Sequence, residues 1–180
     1  MRIVGGGWRG RVLTAPAGEA TRPTADRVRQ ALFDMLLHAP WAGRETIEGA
    51  SVLDCFAGTG ALGLEALSRG AAHAVFVERA RPALEALRVN IAACRAVDRC
   101  EIIGADVLSL SSGPRADVVF LDPPYGLDLI PRALARLRAA GRVGVGSVVV
   151  AESGRNEPAL AVEALAERTH GAARVTIWRE

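Results

Sequence analysis

Asp122-Pro123-Pro124-Tyr125 carries the most specific chemistry in this chain. Two successive prolines fix the backbone and remove two amide donors. What remains at the elbow is acceptors, the Asp122 carboxylate and the main-chain carbonyl of Pro123, beside the aromatic ring of Tyr125. An exocyclic amine on a nucleobase is a poor nucleophile because its lone pair is delocalised into the ring. Two acceptors on its hydrogens favour a more tetrahedral nitrogen and aim that lone pair, while Tyr125 can stack on the base face. Catalysis of this kind is mainly positioning and electrostatics, and needs no separate strong base. The plain alternative is a proline-stiffened loop with a capping aspartate. A continuously apolar strand just before the motif, and a cofactor-type motif elsewhere, weigh against it.

That second motif is SVLDCFAGTGALGLEALSRG, residues 51–70. Gly58-Thr59-Gly60-Ala61-Leu62-Gly63 satisfies the dinucleotide pattern, and Glu78 stands roughly where a ribose-binding acid would. A dehydrogenase is therefore a competing reading. Asp54 argues against it, because a carboxylate at that strand end would oppose a pyrophosphate. It could instead accept hydrogen bonds, direct or through water, from the ammonium end of a methionine moiety. S-adenosylmethionine (SAM) carries a cation and no phosphate, so Asp54 followed by Cys55-Phe56-Ala57 favours SAM. Glu78 can hold both ribose hydroxyls, and Gly58 and Gly60 let the backbone pass close to the ligand. Asp106, just after a third strand, can accept the adenine amino group while apolar neighbours such as Phe56 and Val107 flank the ring. Taken alone, Asp106 is equally a turn or cap aspartate. Cys55, Cys94 and Cys100 lack zinc-ligand spacing and suggest reduced, buried thiols, with no metal site expected.

The elements that must position these groups alternate. Strands are expected over 52–55, 74–78, 101–104, 117–121 and 147–152, and helices over 62–69, 82–93 and 129–140. Residues 160–168 fit a helix or a strand equally by periodicity. Residues 173–178 alternate as a final strand after a turn at His170-Gly171. Such alternation implies a doubly wound α/β sheet, and with the SAM-type motif the expected fold is Rossmann-like, of the class I SAM-dependent methyltransferase type. It would hold a doubly wound, mostly parallel seven-stranded sheet with an antiparallel C-terminal strand. Ligands in such sheets sit at the carboxyl ends of the strands, so both motifs share one rim.

The 180 residues suit one domain with a sizeable core. Residues 1–40 are expected to form an amino-terminal hairpin and helix, an RNA-binding extension, and 41–180 the catalytic domain. No apolar run spans a bilayer and no secretory leader is evident, so a cytoplasmic protein with no membrane partner is expected. All 22 basic residues are arginine, and the net charge is only +2. Arg2, Arg9, Arg11, Arg22, Arg27 and Arg29 nonetheless crowd the first thirty residues against only Glu19 and Asp26. Arginine suits phosphate and can stack on bases. RIVGG and RGRVLTAP, joined through Gly5-Gly6-Gly7, permit a tight hairpin or a mobile arm, and a hairpin must dock on the domain or on a partner. Thr24 can cap the helix that follows, leaving Arg22, Arg27 and Arg29 to face the rim or solvent. Arg9, Arg11, Arg22, Arg27 and Arg29 are thus the candidate RNA contacts.

Four segments together resemble the RsmD-type bacterial methyltransferases. They are RIVGGGWRGR, TRPTADRVRQALFDML, LDCFAGTGALGLEALSRGA and FLDPPY, in the family's order and spread over nearly the whole length. The resemblance implies methylation of the exocyclic N2 of one guanine in 16S ribosomal RNA. It implies that Asp54, Gly58, Gly60, Glu78 and Asp106 bind SAM, and that Asp122 to Tyr125 hold the guanine. The implied substrate is an assembled or partly assembled small-subunit particle, met by a monomer. An adenine-N6 methyltransferase acting on DNA or RNA shares the DPPY motif, and a non-catalytic assembly factor could share the fold. The chain departs from the family at His170-Gly171-Ala172-Ala173, where Tyr-Gly-Asp-Thr is frequent, and at Gly5-Gly6, where alanine-glycine is common.

Overall fold

The computed structural model describes residues 1–16 and 23–180. Helix α1 runs Pro23–His38, β1 Ser51–Cys55, α2 Ala61–Ser68, β2 His73–Val77 and α3 Arg81–Ala93. Then come β3 Cys100–Ile103, β4 Val118–Leu121, α4 Leu129–Ala139, β5 Val148–Gly154, β6 Ala164–His170 and β7 Ala173–Arg179. The seven strands lie in the order β3-β2-β1-β4-β5-β7-β6. The first five are parallel, and β7 runs antiparallel between β5 and β6. Chain order reverses between β1 and β4, which places the ligand crevice beyond their carboxyl ends. Cys55 pairs with Leu121 and Leu121 with Ala151, so β1 and β4 end level on one rim while β5 continues three residues past it to Gly154.

The central strands are apolar throughout because both faces are covered. All four residues of β4 are buried. One core joins Phe76 and Phe120 to Phe33 and Leu36 of α1, Leu64 of α2 and Leu87 of α3. The other joins Leu53, Val119 and Val149 to Ile130, Leu134 and Leu137 of α4. Each such side chain stabilises the fold by about 1.5–3 kcal/mol.

The amino-terminal hairpin docks on the domain itself. Ile3 N–H donates to Arg11 O at 2.9 Å and Leu13 N–H to Met1 O at 3.0 Å. Val4 N–H donates to Glu65 at 2.8 Å and Trp8 N–H to the Ser68 hydroxyl at 2.9 Å. Thr14 N–H donates to Asn90 of α3 at 2.7 Å. Gly6 has φ +71°, and a Cβ there would fall 1.9 Å from Ser68 O, so only glycine fits. Ile3 and Leu13 join the larger core, so this segment shares the packing of the rest.

One open reading is resolved and one expectation changes. Residues 160–168 hold no helix, and β6 begins at Ala164 as the sheet's edge. Paired on one side only, β6 keeps half its face exposed, which is why its periodicity was ambiguous. Helix α1 starts at Pro23, so Thr24 lies inside its first turn, and proline suits that opening position. Glu19 and Arg22 fall outside the described residues. The turn at Gly171, with φ +60°, connects β6 to β7 as expected.

Candidate active site

Glu78 immediately follows β2, and its carboxylate is the hub of the rim. It accepts from Gly58 N–H at 2.9 Å, Arg79 N–H at 2.8 Å and Ala80 N–H at 2.7 Å. It therefore ties the β1 turn to the start of α3. Asp106 accepts from Leu108 N–H at 2.9 Å and pairs with Arg79 at 2.7 Å. The turn or cap role expected of a lone aspartate is thus real, and Asp106 also faces the cavity. That cavity, about 540 Å³, is lined by Phe56, Glu78, Asp106, Val107 and the whole Asp122–Tyr125 elbow. One space therefore joins the elbow to Glu78, Asp106 and Val107, with Phe56 as the lining residue from the glycine motif.

Asp54 and the glycines serve the turn more than the cavity. Asp54 is 2% exposed, and its Oδ2 accepts from Gly63 N–H at 2.8 Å, at the start of α2. It does not line the cavity. A Cβ on Gly60 would meet Leu87 at 2.4 Å, and one on Gly63 would meet Phe76 at 2.4 Å. Those two glycines are demanded by helix packing. Gly58 is different: its φ is +53°, and a Cβ would meet nothing closer than Phe56 O at 4.0 Å. Phe56 itself holds φ +60°, a conformation costly for a non-glycine residue and concentrated at functional turns.

Burial raises Asp54 from the ordinary 3.8 to about 8. The Gly63 amide pulls it back, while the charges of Asp122 and Glu78 push it further up. Asp122 faces the open cavity and is reached by solvent, yet protein walls it on most sides. Its carboxyl is also raised, first by loss of water and second by the Glu152 charge. Glu152 is the group that sequence reasoning missed. Its Oε1 accepts from the Tyr125 hydroxyl, which pins the ring of a residue 43% exposed. Burial and that hydrogen bond push the Tyr125 hydroxyl upward, so it stays a donor. Only the pairing of β4 with β5 brings the two acids together, and nothing local in SVVVAE announces it.

The donor set fits SAM. Glu78, Asp106 and the elbow line a space with acidic walls beside an unobstructed glycine, and buried Asp54 stands behind it. A pyrophosphate would meet repulsion there, whereas a sulfonium and an ammonium would not. Among the described residues no acidic or cysteine cluster could hold a metal ion.

The arginines divide. Arg9 and Arg27 are exposed and Arg11 is half-buried. Arg29 is 5% exposed and contradicts its expected role. It pairs with Asp26 at 3.0 Å and with Glu65 at 3.4 Å, and donates to Arg2 O. Glu65 is fully buried and shares its charge between Arg29 and Arg69 while accepting from Val4 N–H, so Arg29 holds the hairpin to α1 and α2 rather than facing RNA. Helix α2 runs back from the rim, so Ser68 and the hairpin tip with Arg9 lie at the opposite end of the sheet.

A family model described as "Conserved hypothetical protein 95" matches residues 1–179. The chain is 39% identical over 155 residues to the Escherichia coli K12 protein named ribosomal RNA small subunit methyltransferase D, covering 85% of this chain and 74% of that protein. The solved yhhF structure of Escherichia coli superposes with a TM-score of 0.84 at 34% identity, covering 99% of this chain and 97% of that one. A hypothetical protein of Thermus thermophilus, TTHA0928, gives a TM-score of 0.80 at 32% identity, with 100% and 99% covered.

Proposed function

Because the chain belongs to the conserved hypothetical protein 95 family, which includes the ribosomal RNA small subunit methyltransferase D proteins, we propose that this methyltransferase modifies the exocyclic N2 of a guanine in 16S ribosomal RNA. The observation that carries the reading is the Asp122-Pro123-Pro124-Tyr125 elbow set in the wall of the acidic cofactor cavity. SAM, when bound, supplies an electrophilic methyl group on a sulfonium. Glu78 would hold the ribose hydroxyls, Phe56, Val107 and Asp106 the adenine, and Asp54 the ammonium end through water. Gly58 would lie under the ligand, and Gly60 would shape the turn through its packing.

At the elbow, Asp122 and the Pro123 carbonyl accept the two hydrogens of the target amine and aim its lone pair. Tyr125 stacks on the base, and its hydroxyl bond to Glu152 keeps the ring from rotating away. As the nitrogen–carbon bond forms, one amine proton must leave, and the upward-shifted Asp122 carboxylate is placed to take it. Arg9, Arg11 and Arg27 would contact phosphates, together with Arg22. Because the hairpin tip lies at the far end of the sheet, Arg9 would touch RNA distant from the target base. This favours a folded substrate, 16S RNA in the small subunit or its assembly intermediate; the proposed enzyme is a cytoplasmic monomer. No helix of the described residues is long and apolar enough to cross a membrane.

Asp122→Ala tests the elbow. It is expected to keep SAM affinity within about threefold while losing at least about a hundredfold in kcat, because one acceptor at the reacting amine is gone. Near-normal turnover in the variant would overturn the role.

A further inference from the structure

Leu121 of β4 pairs with Ala151 of β5, so the next residue on each of two adjacent parallel strands is an acid, Asp122 and Glu152. Adjacent strands lie about 4.8 Å apart, which places the two carboxylates side by side at the rim. Asp122 lines the cofactor cavity and Glu152 the neighbouring one, and the two cavities share Tyr125, whose hydroxyl donates to Glu152 Oε1. Among the described residues no ion pair involves Asp122 or Glu152, and loss of water and the Glu152 charge both push the Asp122 carboxyl upward. Two uncompensated carboxylates in a partly enclosed site are costly on their own. A ligand edge with adjacent donors would relieve that cost.

Guanine offers such an edge. Its N1–H and its N2 amine lie next to each other, so one acid can accept from each. Adenine places its amine beside a bare N1 lone pair, which an ionised carboxylate would repel. We propose that Glu152 accepts the N1–H of the target guanine while Asp122 holds its N2 amine, making the acid pair the element that selects guanine. This rests on the guanine-N2 reading above. The same DPPY elbow without the second acid would hold any exocyclic amine, and Glu152 supplies the choice. Its bond to Tyr125 uses one carboxylate oxygen and leaves the other for the base.

The test replaces the target guanine in reconstituted small subunits by 2-aminopurine. That base keeps the N2 amine, exchanges N1–H for a lone pair and lacks the O6 carbonyl, so the Glu152 variant is what isolates the N1 contact. Wild type is expected to lose about a hundredfold in kcat/KM on 2-aminopurine, the scale for a buried acceptor left facing an acceptor. Glu152→Gln still accepts from the Tyr125 hydroxyl and offers an amide donor toward N1. It is expected to fall at least tenfold on guanine, rise on 2-aminopurine, and retain SAM affinity. An unchanged guanine to 2-aminopurine ratio in the variant would overturn the proposal. If the variant fails to fold, the wild-type ratio decides alone, and equal rates on both bases would overturn it. Wild type giving no label on the guanine substrate would count against the methylation reading itself, a result distinct from a lost ratio.

Discussion

Asp54→Asn should make the protein more stable and a poorer cofactor binder, and both effects should depend on pH. The asparagine oxygen can still accept the Gly63 amide, so the turn survives while the buried charge goes. In the wild type the folded pKa of Asp54 is raised from 3.8 to about 8. Above about pH 4 the unfolded chain therefore gives up this proton while the folded chain keeps it. Stability from this group is lost as pH rises toward about 8, and the loss is flat beyond. The limiting slope is about 1.4 kcal/mol per pH unit, so from about pH 5 to about pH 7 the variant gains up to about 3 kcal/mol on the wild type. For a domain of this size that widens the gap in Tm by about 6–12 °C. Thermal melting across pH reads the gap directly, and the other titrating groups cancel between the two proteins. SAM affinity should rise with pH up to about 8 in the wild type, by at most about tenfold per unit, and stay flat in the variant. Parallel melting curves would refute the reasoning, since they would mean that water reaches Asp54 and leaves it ionised at neutral pH.

Two neighbouring arginines should behave in opposite ways. Arg27→Glu, at an exposed position, should weaken RNA binding and reduce the salt dependence of log K by about one to two, with SAM affinity unchanged; identical binding across a salt series would show Arg27 to be merely solvated. Arg29→Ala should lower stability by about 3 kcal/mol, at the low end for a broken buried pair because Arg69 still holds Glu65 at 2.8 Å. Denaturant unfolding checks it, and a midpoint unchanged from wild type would contradict the ion-pair account.

Much of the rim was legible because its signals are local. The apolar run of β4, the prolines after it and the glycine turn after β1 each state their role within a few residues, and the sheet then brings them together. Other features depend on partners far along the chain. Arg29 looks like its solvated neighbours until Glu65, thirty-six residues later, arrives beside it in the fold. Glu152 is an ordinary acid after a strand until the pairing of β4 with β5 sets it next to Asp122. The motif glycines announced close approach but not by what: Leu87 and Phe76 explain Gly60 and Gly63, and only Gly58 is left for a ligand. The edge strand β6 stayed ambiguous because its half-exposed face imposes no strict period.

The most direct test incubates the protein with tritiated SAM and small subunits from a strain lacking this enzyme, followed by mass spectrometry of the digested 16S RNA. The account predicts label in N2-methylguanosine at one position. Label in N6-methyladenosine would contradict the base assignment and the selecting role of Glu152, and no label on the particle would contradict the substrate.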